Sequence, residues 1–274
     1  MSDSLFGSVR ALSFRKLSEH NLSISITLSM NIHGRLALSR FSRLMGKKPT
    51  SDDKLELARR RQRFMKRLDT FEEEAMTLFP DVDFAGPEFR VPPTMDEYEH
   101  EEDLELLKES TSHGDTDLPE YREIILPSAF TDLPGTMNTA RRVEIELRVA
   151  QANDTLASIR LDIGHKSFIF RKKINLDESK KGKTRAYNQV NAIDRNLAHH
   201  LRVYAQARWS LQHLSAPSEI LMRFKEIKKG DTHLLPNISR PNQPGFWNQN
   251  IPWFWGFNIH GDSKDDFHME ECKS

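Results

Sequence analysis

The sequence has little cysteine and no long apolar run. Cys272 is the single cysteine among 274 residues, so we expect no internal disulfide and no zinc site built from cysteine ligands. No apolar stretch approaches the roughly 18 to 20 residues that a membrane-crossing helix needs, and the first residues lack the compact apolar segment of a secretory signal. The sequence therefore predicts a soluble protein in a reducing compartment, without membrane contact.

The chain also lacks net charge, with 40 basic and 40 acidic residues, but the two signs are segregated. Residues 1–50 hold eight Lys and Arg against two acids, a composition found in mitochondrial targeting segments and in basic disordered arms. Residues 81–123 carry fifteen acids against three bases, with several prolines, which is typical of a linker. We expect a nuclear or cytoplasmic location, with mitochondrial targeting as the alternative.

Glycine and proline are absent between Thr184 and Ala216, where apolar residues return at three- and four-residue steps, and this predicts a long amphipathic helix. Its apolar stripe consists of Val190, Ile193, Leu197, Leu201, Tyr204, Ala207, Leu211 and Leu214. A similar helix precedes it, with the stripe Val143, Leu147, Ala150, Leu156, Ile159, Ile163 and Phe170. Because only a short basic break over residues 175–183 separates them, the two helices are expected to form an antiparallel hairpin.

Further helices are predicted on both sides of the hairpin. Thr50 and Asp53 have the spacing of a capping box at the start of one helix, and Pro80 ends it. Another helix is expected from residue 217 to residue 229, beginning with a proline. A short helix is expected near residues 36–45.

Six aromatic residues lie close together near the C-terminus: Phe246, Trp247, Trp253, Phe254, Trp255 and Phe257. Each large ring offers about 150–250 Å² of surface to bury, so we expect this segment to fold back and cap the hairpin. A platform for stacking nucleic-acid bases is the alternative. Such platforms interleave aromatic residues with Lys or Arg, and this segment has neither.

The predicted fold class is mainly α: a long antiparallel helical hairpin with additional helices and an aromatic-rich C-terminal cap, flanked by disordered segments. Composition and pattern also predict the domain boundaries. They are a basic, Ser-rich and largely disordered leader at 1–46, a helix at 47–80, an acidic Pro-rich linker at 81–132, the hairpin domain with its aromatic cap at 133–259, and a disordered polar tail at 260–274.

No pattern in the sequence predicts an active site, so we expect neither an enzyme nor a cofactor. The Gly-Lys-Thr run at 182–184 imitates the end of a phosphate-binding loop, but Asp177 stands where that loop needs its earlier glycine. His199 and His200 are adjacent on a helix and diverge by about 100°, unlike a metal-binding pair. We expect them to be ordinary histidines on the helix surface.

Three polar residues, Gln151, Asn153 and Asp154, interrupt the apolar stripe of the first hairpin helix. We expect them to form a buried polar contact with the second helix, to Arg202 or Arg208. Such a contact would set the register between the two helices rather than perform chemistry.

Basic residues concentrate at the turn of the predicted hairpin. They are Arg171, Lys172, Lys173, Lys180, Lys181, Lys183 and Arg185. A mobile turn of this charge neutralises phosphates without presenting a rigid helix to the bases, so contact would be independent of base sequence. We therefore expect the DNA or RNA backbone as a partner for these residues, or masking of them by the acidic linker of the same chain.

A second group of bases lies on the helix predicted at 47–80. It consists of Arg59, Arg60, Arg61, Arg63, Lys66 and Arg67. A basic binding face is one interpretation of this group. We favour the other, a solvated helix surface.

Ordered motifs along the chain resemble a known family. They are Leu126-Pro127-Ser128, Glu146-Leu147-Arg148, Gln151-Ala152-Asn153-Asp154, Leu156, Arg160, Lys183-Thr184-Arg185-Ala186, Tyr204, Ala207-Arg208 and Trp253-Phe254-Trp255. As a set they resemble the helical C-terminal region of fungal KDZ (Kyakuja-Dileera-Zisupton) transposases and related orphan proteins. The resemblance extends from about residue 47 to residue 259.

The resemblance implies a piece of a mobile-element protein whose complete relatives carry an RNase H-like core with acidic metal ligands. We expect that core to be missing, because Asp3 and Glu19 are the two acids before the match and two-metal strand transfer needs clustered carboxylates. We therefore expect a non-enzymatic helical remnant that binds an unknown protein partner or has no selected role. An accessory nucleic-acid-binding module that uses the basic turn is the alternative.

Overall fold

The computed structural model describes residues 31–42, 45, 49–82, 118–119, 122, 124, 126–174, 179–232 and 252–256. Five α-helices lie within these ranges: α1 at 31–42, α2 at Ser51–Leu78, α3 at Asn138–Ile169, α4 at Lys180–His213 and α5 at Ser218–Arg223. A π-helical turn, Phe170–Ile174, extends α3. Short 3-10 turns lie at Pro127–Ala129, Gly135–Met137, Lys229–Thr232 and Trp253–Trp255. The described part of the chain contains no strand, so the predicted mainly α fold is confirmed.

The predicted antiparallel hairpin is also confirmed and consists of α3 and α4. Asp162 Oδ2 lies 2.8 Å from His200 Nδ1, and Lys166 Nζ donates to Asp194 Oδ1 at 2.5 Å. Residues later in α3 therefore lie beside residues earlier in α4, so the two helices are antiparallel. The two polar pairs lie within two helical turns of each other along the interface. Together they fix the lengthwise alignment of the two helices.

Apolar stripes of the two helices form the main core, as their periodicity predicts. Leu156 and Ile159 of α3 and Ala207 and Leu211 of α4 are fully buried. A helix with one apolar stripe gains most of its stability by burying that stripe against a neighbour. The hairpin therefore stabilises both helices together.

The helix α2 begins with the predicted capping box. The N–H of Asp53 donates to Thr50 Oγ1 at 3.1 Å, and the N–H of Thr50 donates to Asp53 Oδ2 at 3.0 Å. The helix ends at Leu78, two residues before Pro80. Its buried face consists of Leu57, Phe64, Leu68, Phe71 and Ala75.

Part of the predicted leader is folded, which corrects its expected disorder over residues 31–42. Ile32 and Leu38 of α1 are buried in one apolar cluster with Phe64 of α2. Arg40 Nη2 donates to Asn196 Oδ1 on α4 at 3.0 Å. The short helix expected near 36–45 thus lies slightly earlier and packs on the hairpin, while residues 1–30 and the predicted tail at 260–274 lie outside the described residues.

The end of the predicted linker also belongs to the core, so its expected boundary at residue 132 is too late. Ile124, Leu126 and Phe130 are buried, although the acids counted over 81–123 suggested a solvated segment. Arg122 donates to Asp69 Oδ1 at 2.9 Å and to Glu72 Oε2 at 2.7 Å on α2. The average composition of an acidic stretch gives no indication of the apolar residues at its end.

A buried polar cluster joins this segment to α3. The Glu144 carboxylate accepts the N–H of Ser128 at 2.9 Å and its hydroxyl at 2.7 Å. Arg148 donates to Glu144 Oε1 through Nε and Nη2, both at 3.2 Å, and to Gln151 Oε1 through Nη1 at 3.0 Å. Burial lowers the pKa of the Arg148 guanidinium, and the Glu144 carboxylate opposes that shift.

The expected contact from Gln151 to Arg202 or Arg208 is therefore wrong. Gln151 bonds with Arg148, one turn earlier on its own helix. Arg208 Nε instead donates to the carbonyl oxygen of Phe224 at 3.2 Å. Of the other two residues in the expected contact, Asn153 has a buried Oδ1 without a hydrogen-bond partner, and burial raises the pKa of Asp154. Gln151 thus finds its partner within α3, which the sequence pattern does not reveal.

The helix α5 is shorter than predicted, because it ends at Arg223 rather than at residue 229. Phe224 and Ile227 are buried in the main core. The Tyr204 hydroxyl donates to the carbonyl oxygen of Lys225 at 2.6 Å. Burial of both apolar side chains and this bond hold the chain in a non-helical course after residue 223.

The predicted aromatic cap is confirmed for its described residues. Phe254 is fully buried in the main core, and Trp253 and Trp255 pack beside it. Arg160 donates to the Phe254 carbonyl oxygen through Nε at 2.7 Å and also through Nη2. Phe246, Trp247 and Phe257 lie outside the described residues.

We expect Glu144→Gln to destabilise the fold by about 3–5 kcal/mol, because it leaves the Arg148 charge buried without a counter-ion. Thermal denaturation followed by circular dichroism measures this loss. Glu74→Gln, at an exposed carboxylate on α2, is the control and should change the melting temperature little. Equal melting temperatures for both variants would contradict the structural role of the pair.

A second prediction concerns Asp154, whose pKa burial raises, while the charge of His33 partly opposes the shift. A carboxyl with a raised folded pKa contributes its stability fully below the unfolded pKa and loses it as pH rises through the folded pKa. Asp154→Asn should therefore raise the melting temperature at neutral pH and lose this advantage in acid. Melting curves across pH test this, with the exposed Asp132→Asn as control. No gain at neutral pH would contradict it.

Candidate nucleic-acid interface at the hairpin tip

All seven predicted site residues lie at the end of the hairpin where α3 leads into α4. Three are on the π-helical turn and four on the first two turns of α4, and every one of them is exposed: Arg171, Lys172, Lys173, Lys180, Lys181, Lys183 and Arg185. We call residues 168–174 and 179–190 the basic tip.

A small apolar core holds the basic tip together. Ile169 and Ile174 at the end of α3 are buried against Ala186 and Val190 of α4. Phe170 is half-buried beside them. Since these apolar residues occupy the inner side of both helices, the charged residues between them in sequence are directed to the outside.

The helix α4 begins earlier than the sequence predicts, so Lys180, Lys181 and Lys183 are helical rather than part of a turn. Ser179 caps the helix by accepting the N–H of Gly182 at 3.0 Å. The glycine and the lack of an acid in the first turn obscured this start. The expected mobile turn thus does not include residues 180–185, whose cations project from a regular helix.

The charge of the basic tip is almost entirely positive. Its described residues include no acid, and Asp177 and Glu178, in the sequence between them, are the two acids of 169–190. The ion pair of Lys166 and Asp194 lies one to two turns below. The first turn of α4 also lies at the positive end of its helix dipole, so lysines are unfavourable there and an anion is favourable.

Two cations of the basic tip contact uncharged groups. Lys173 Nζ donates to Gln189 Oε1 at 2.8 Å, and Lys172 Nζ lies 5.6 Å from the centroid of the Phe168 ring. Neither contact neutralises charge. None of the seven cations forms an ion pair with a carboxylate in the described part of the chain.

The other candidate sites from the sequence have structural roles. Thr184 Oγ1 donates to the Lys180 carbonyl oxygen at 3.0 Å inside α4, so 182–184 do not form a phosphate-binding loop. His200 is half-buried and bonds with Asp162, which corrects its expected place on the helix surface. Within the described ranges, no group of three His, Cys, Asp or Glu is placed to hold a metal ion.

The basic tip also has two exposed aromatic rings that the sequence pattern did not indicate, those of Phe168 and Tyr187. Phe168 lies outside the predicted apolar stripe, and Tyr187 precedes the first residue of the second stripe by three positions. Their closeness in sequence to Arg171 and Arg185 was the signal that could have identified them.

Comparison with known proteins identifies no relative: no family model, curated protein or solved structure matches the chain. Among the described helices, none combines the length and the apolar character that crossing a membrane requires.

We expect Ser179→Ala to fray the first turn of α4, because it removes the side chain that accepts the N–H of Gly182. Hydrogen exchange should be faster at the amides of residues 181–183, with a stability loss of about 1 kcal/mol or less. Thr184→Ala is the control, since its hydroxyl bonds a carbonyl group rather than a free N–H. Unchanged exchange in the Ser179 variant would show that the cap does not order the tip.

Proposed function

We propose that this chain is a non-enzymatic helical module that binds the phosphate backbone of nucleic acid through its basic tip. The observation that carries the proposal is the placement of seven exposed cations at one end of a rigid hairpin, without a described carboxylate to neutralise them. Cations in this arrangement gain free energy by releasing the counter-ions condensed on nucleic acid.

The chemistry of the basic tip suits phosphates better than base edges. Long Lys and Arg side chains on a convex end reach backbone oxygens, whereas reading base sequence needs a helix or strand laid in a groove. At the tip, α3 ends and α4 begins, so the hairpin presents helix ends there rather than a helix side. Binding is therefore expected to be independent of base sequence and sensitive to salt.

Masking of the tip by the acidic segment has a geometric limit. The segment leaves the described fold at Val82, which packs against Met137, and it returns at Ile124, which packs near Ala140. Both places are at the start of α3, about 50 Å from its other end at 1.5 Å per residue. Residues 83–117 span at most about 120 Å when extended, and the path to the tip and back is about 100 Å, so we propose that they mask it weakly.

We further propose that the chain is related to the helical C-terminal region of KDZ transposases. Several residues that carry this resemblance tie the layers of the fold together. Ser128 and Arg148 belong to the buried polar cluster, Arg160 bonds Phe254, and Tyr204 bonds the main chain after α5. A resemblance carried by such residues supports a shared scaffold rather than a shared reaction.

A second candidate function is binding of a protein partner. Apolar side chains are exposed at places away from the tip, among them Leu55 and Met76 on α2 and Met222 on α5. They are scattered singly, and single exposed apolar residues are common on protein surfaces. For this reason we rank the basic tip first.

Neutralising the tip tests the proposal. In the variant Lys172→Gln, Lys173→Gln, Lys180→Gln, Lys181→Gln and Lys183→Gln, retention of a random-sequence duplex at low salt should be lost. The wild-type logarithm of the binding constant should fall linearly with the logarithm of salt concentration, with a slope of about −0.9 for each phosphate contacted. Fluorescence anisotropy in a salt titration measures both quantities.

The matched control replaces five exposed basic side chains of α2 by glutamine. They are Lys54, Arg59, Arg63, Lys66 and Arg67. It lowers the net charge equally, so it should keep most of the affinity if the tip is the binding site. Equal weakening by both variants would show that net charge, not the tip, drives binding. An absence of binding by the wild-type chain at low salt would leave the protein-partner function as the better proposal.

A further inference from the structure

The exposed aromatic side chains of the described residues gather at the basic tip. Six large apolar residues are exposed, and the two aromatic ones among them are Phe168 at 47% and Tyr187 at 48%. The other four are aliphatic or methionine and lie on α2, α5 and the outer side of α3. The chain thus exposes large rings where it also concentrates positive charge.

Both rings have cations one helical turn away, and Tyr187 is also supported by another ring. Tyr187 packs edge to face on Phe170, with ring centroids 6.4 Å apart and an interplanar angle of 85°. Lys183 precedes Tyr187 by four residues on α4, and Lys172 follows Phe168 by four residues on α3 and its π-helical extension. Residues four apart are neighbours on a helix surface. Each aromatic ring therefore forms a unit with a neighbouring lysine.

The two units lie on different sides of the hairpin. Phe168 and Phe170 are two residues apart, which separates their directions by about 200° on a helix, and Tyr187 lies on the side of Phe170. Ile169, between them, is directed inward to α4. A ligand that used both rings would have to bend around the tip.

We infer that the basic tip binds single-stranded nucleic acid in preference to duplex, with unpaired bases stacked on Tyr187 and Phe168. This inference rests on the proposed function and names its substrate class. A duplex hides the faces of its bases and presents only their edges, whereas a single strand exposes those faces and bends freely. Cations that follow the backbone, together with aromatic rings that stack bases, are the general means of binding single strands without sequence preference.

The contact between Lys172 and Phe168 fits this role. At 5.6 Å from the ring centroid, the ammonium group is held by a weak attraction at an exposed site. A stacked base replaces that contact, and the released Lys172 side chain is then close to the phosphate of the same nucleotide. Burial of the Phe168 ring against the nucleic-acid base offsets the loss of the contact between that ring and the Lys172 ammonium group.

Three probes with equal numbers of phosphates test the inference on the full chain. They are a labelled oligothymidylate, a duplex, and a single strand in which the bases are replaced by abasic sites. We expect the oligothymidylate to bind at least about tenfold more tightly than the abasic strand, since base stacking on a ring contributes about that factor or more. The duplex should also bind more weakly than the oligothymidylate.

Substitution of the rings completes the test. Tyr187→Leu and Phe168→Leu keep an apolar side chain at exposed positions, so folding should be unchanged by circular dichroism. Each should weaken oligothymidylate binding about tenfold and leave abasic-strand and duplex binding unchanged. Met222→Ala, at an exposed apolar residue on α5, is the control and should change none of the three affinities.

The outcomes separate this inference from the proposed function. Equal affinity for the oligothymidylate and the abasic strand, or leucine variants that bind like wild type, would overturn the stacking role while salt-dependent phosphate binding still stands. Tighter binding of the duplex would overturn the preference for single strands. Absence of binding to all three probes would overturn both proposals.

Discussion

The buried pair of Glu144 and Arg148 is the interaction on which the rest of the fold depends. Removing a carboxylate and a guanidinium from water costs several kcal/mol for each group, and the cost is offset only where their polar atoms find partners. Those partners are Gln151 on the same helix and Ser128 on the 3-10 turn before it. The pair therefore holds that turn at one position along α3. Burial of Leu126 on one side of the turn and Phe130 on the other follows from this position.

Support for the hairpin is unequal along its length, and this inequality places the candidate site. Near the start of α3, α2 and the segment at 124–130 pack on the hairpin, and further along, Phe224 and Phe254 complete the main core. At the tip, the described apolar cluster has four buried residues, with Phe170 and Ile193 packed against them. Like charges repel one another there, but the packing below supplies the stability that holds them together. Charge is thus concentrated where it disturbs the core least.

Local signals in the sequence predicted much of the fold. Apolar periodicity identified both hairpin helices, and Thr50 with Asp53 identified the start of α2. Other elements carried no local signal. The early start of α4 at Lys180 depends on a cap by Ser179 before a run of bases, and the early end of α5 depends on a hydroxyl of Tyr204, some twenty residues away. Gln151 was assigned to the wrong partner, and the pair of Glu144 and Arg148 was not predicted, because i to i+4 spacing of opposite charges appears equally on exposed and buried helix faces.

For this protein, the sequence by itself determined the helical class, the antiparallel hairpin and the concentration of bases at its turn, because periodicity and charge are properties of residues near one another in the chain. The tertiary structure decided which polar residues are buried, that α1 and residues 124–130 join the core, and which aromatic rings are exposed. These outcomes depend on contacts between residues far apart in sequence. Phe254 and Tyr187 are both aromatic, yet one is fully buried against α3 and the other is half exposed beside the cations of the tip. Only the packing of distant segments distinguishes a ring that is buried in the core from a ring that stays exposed.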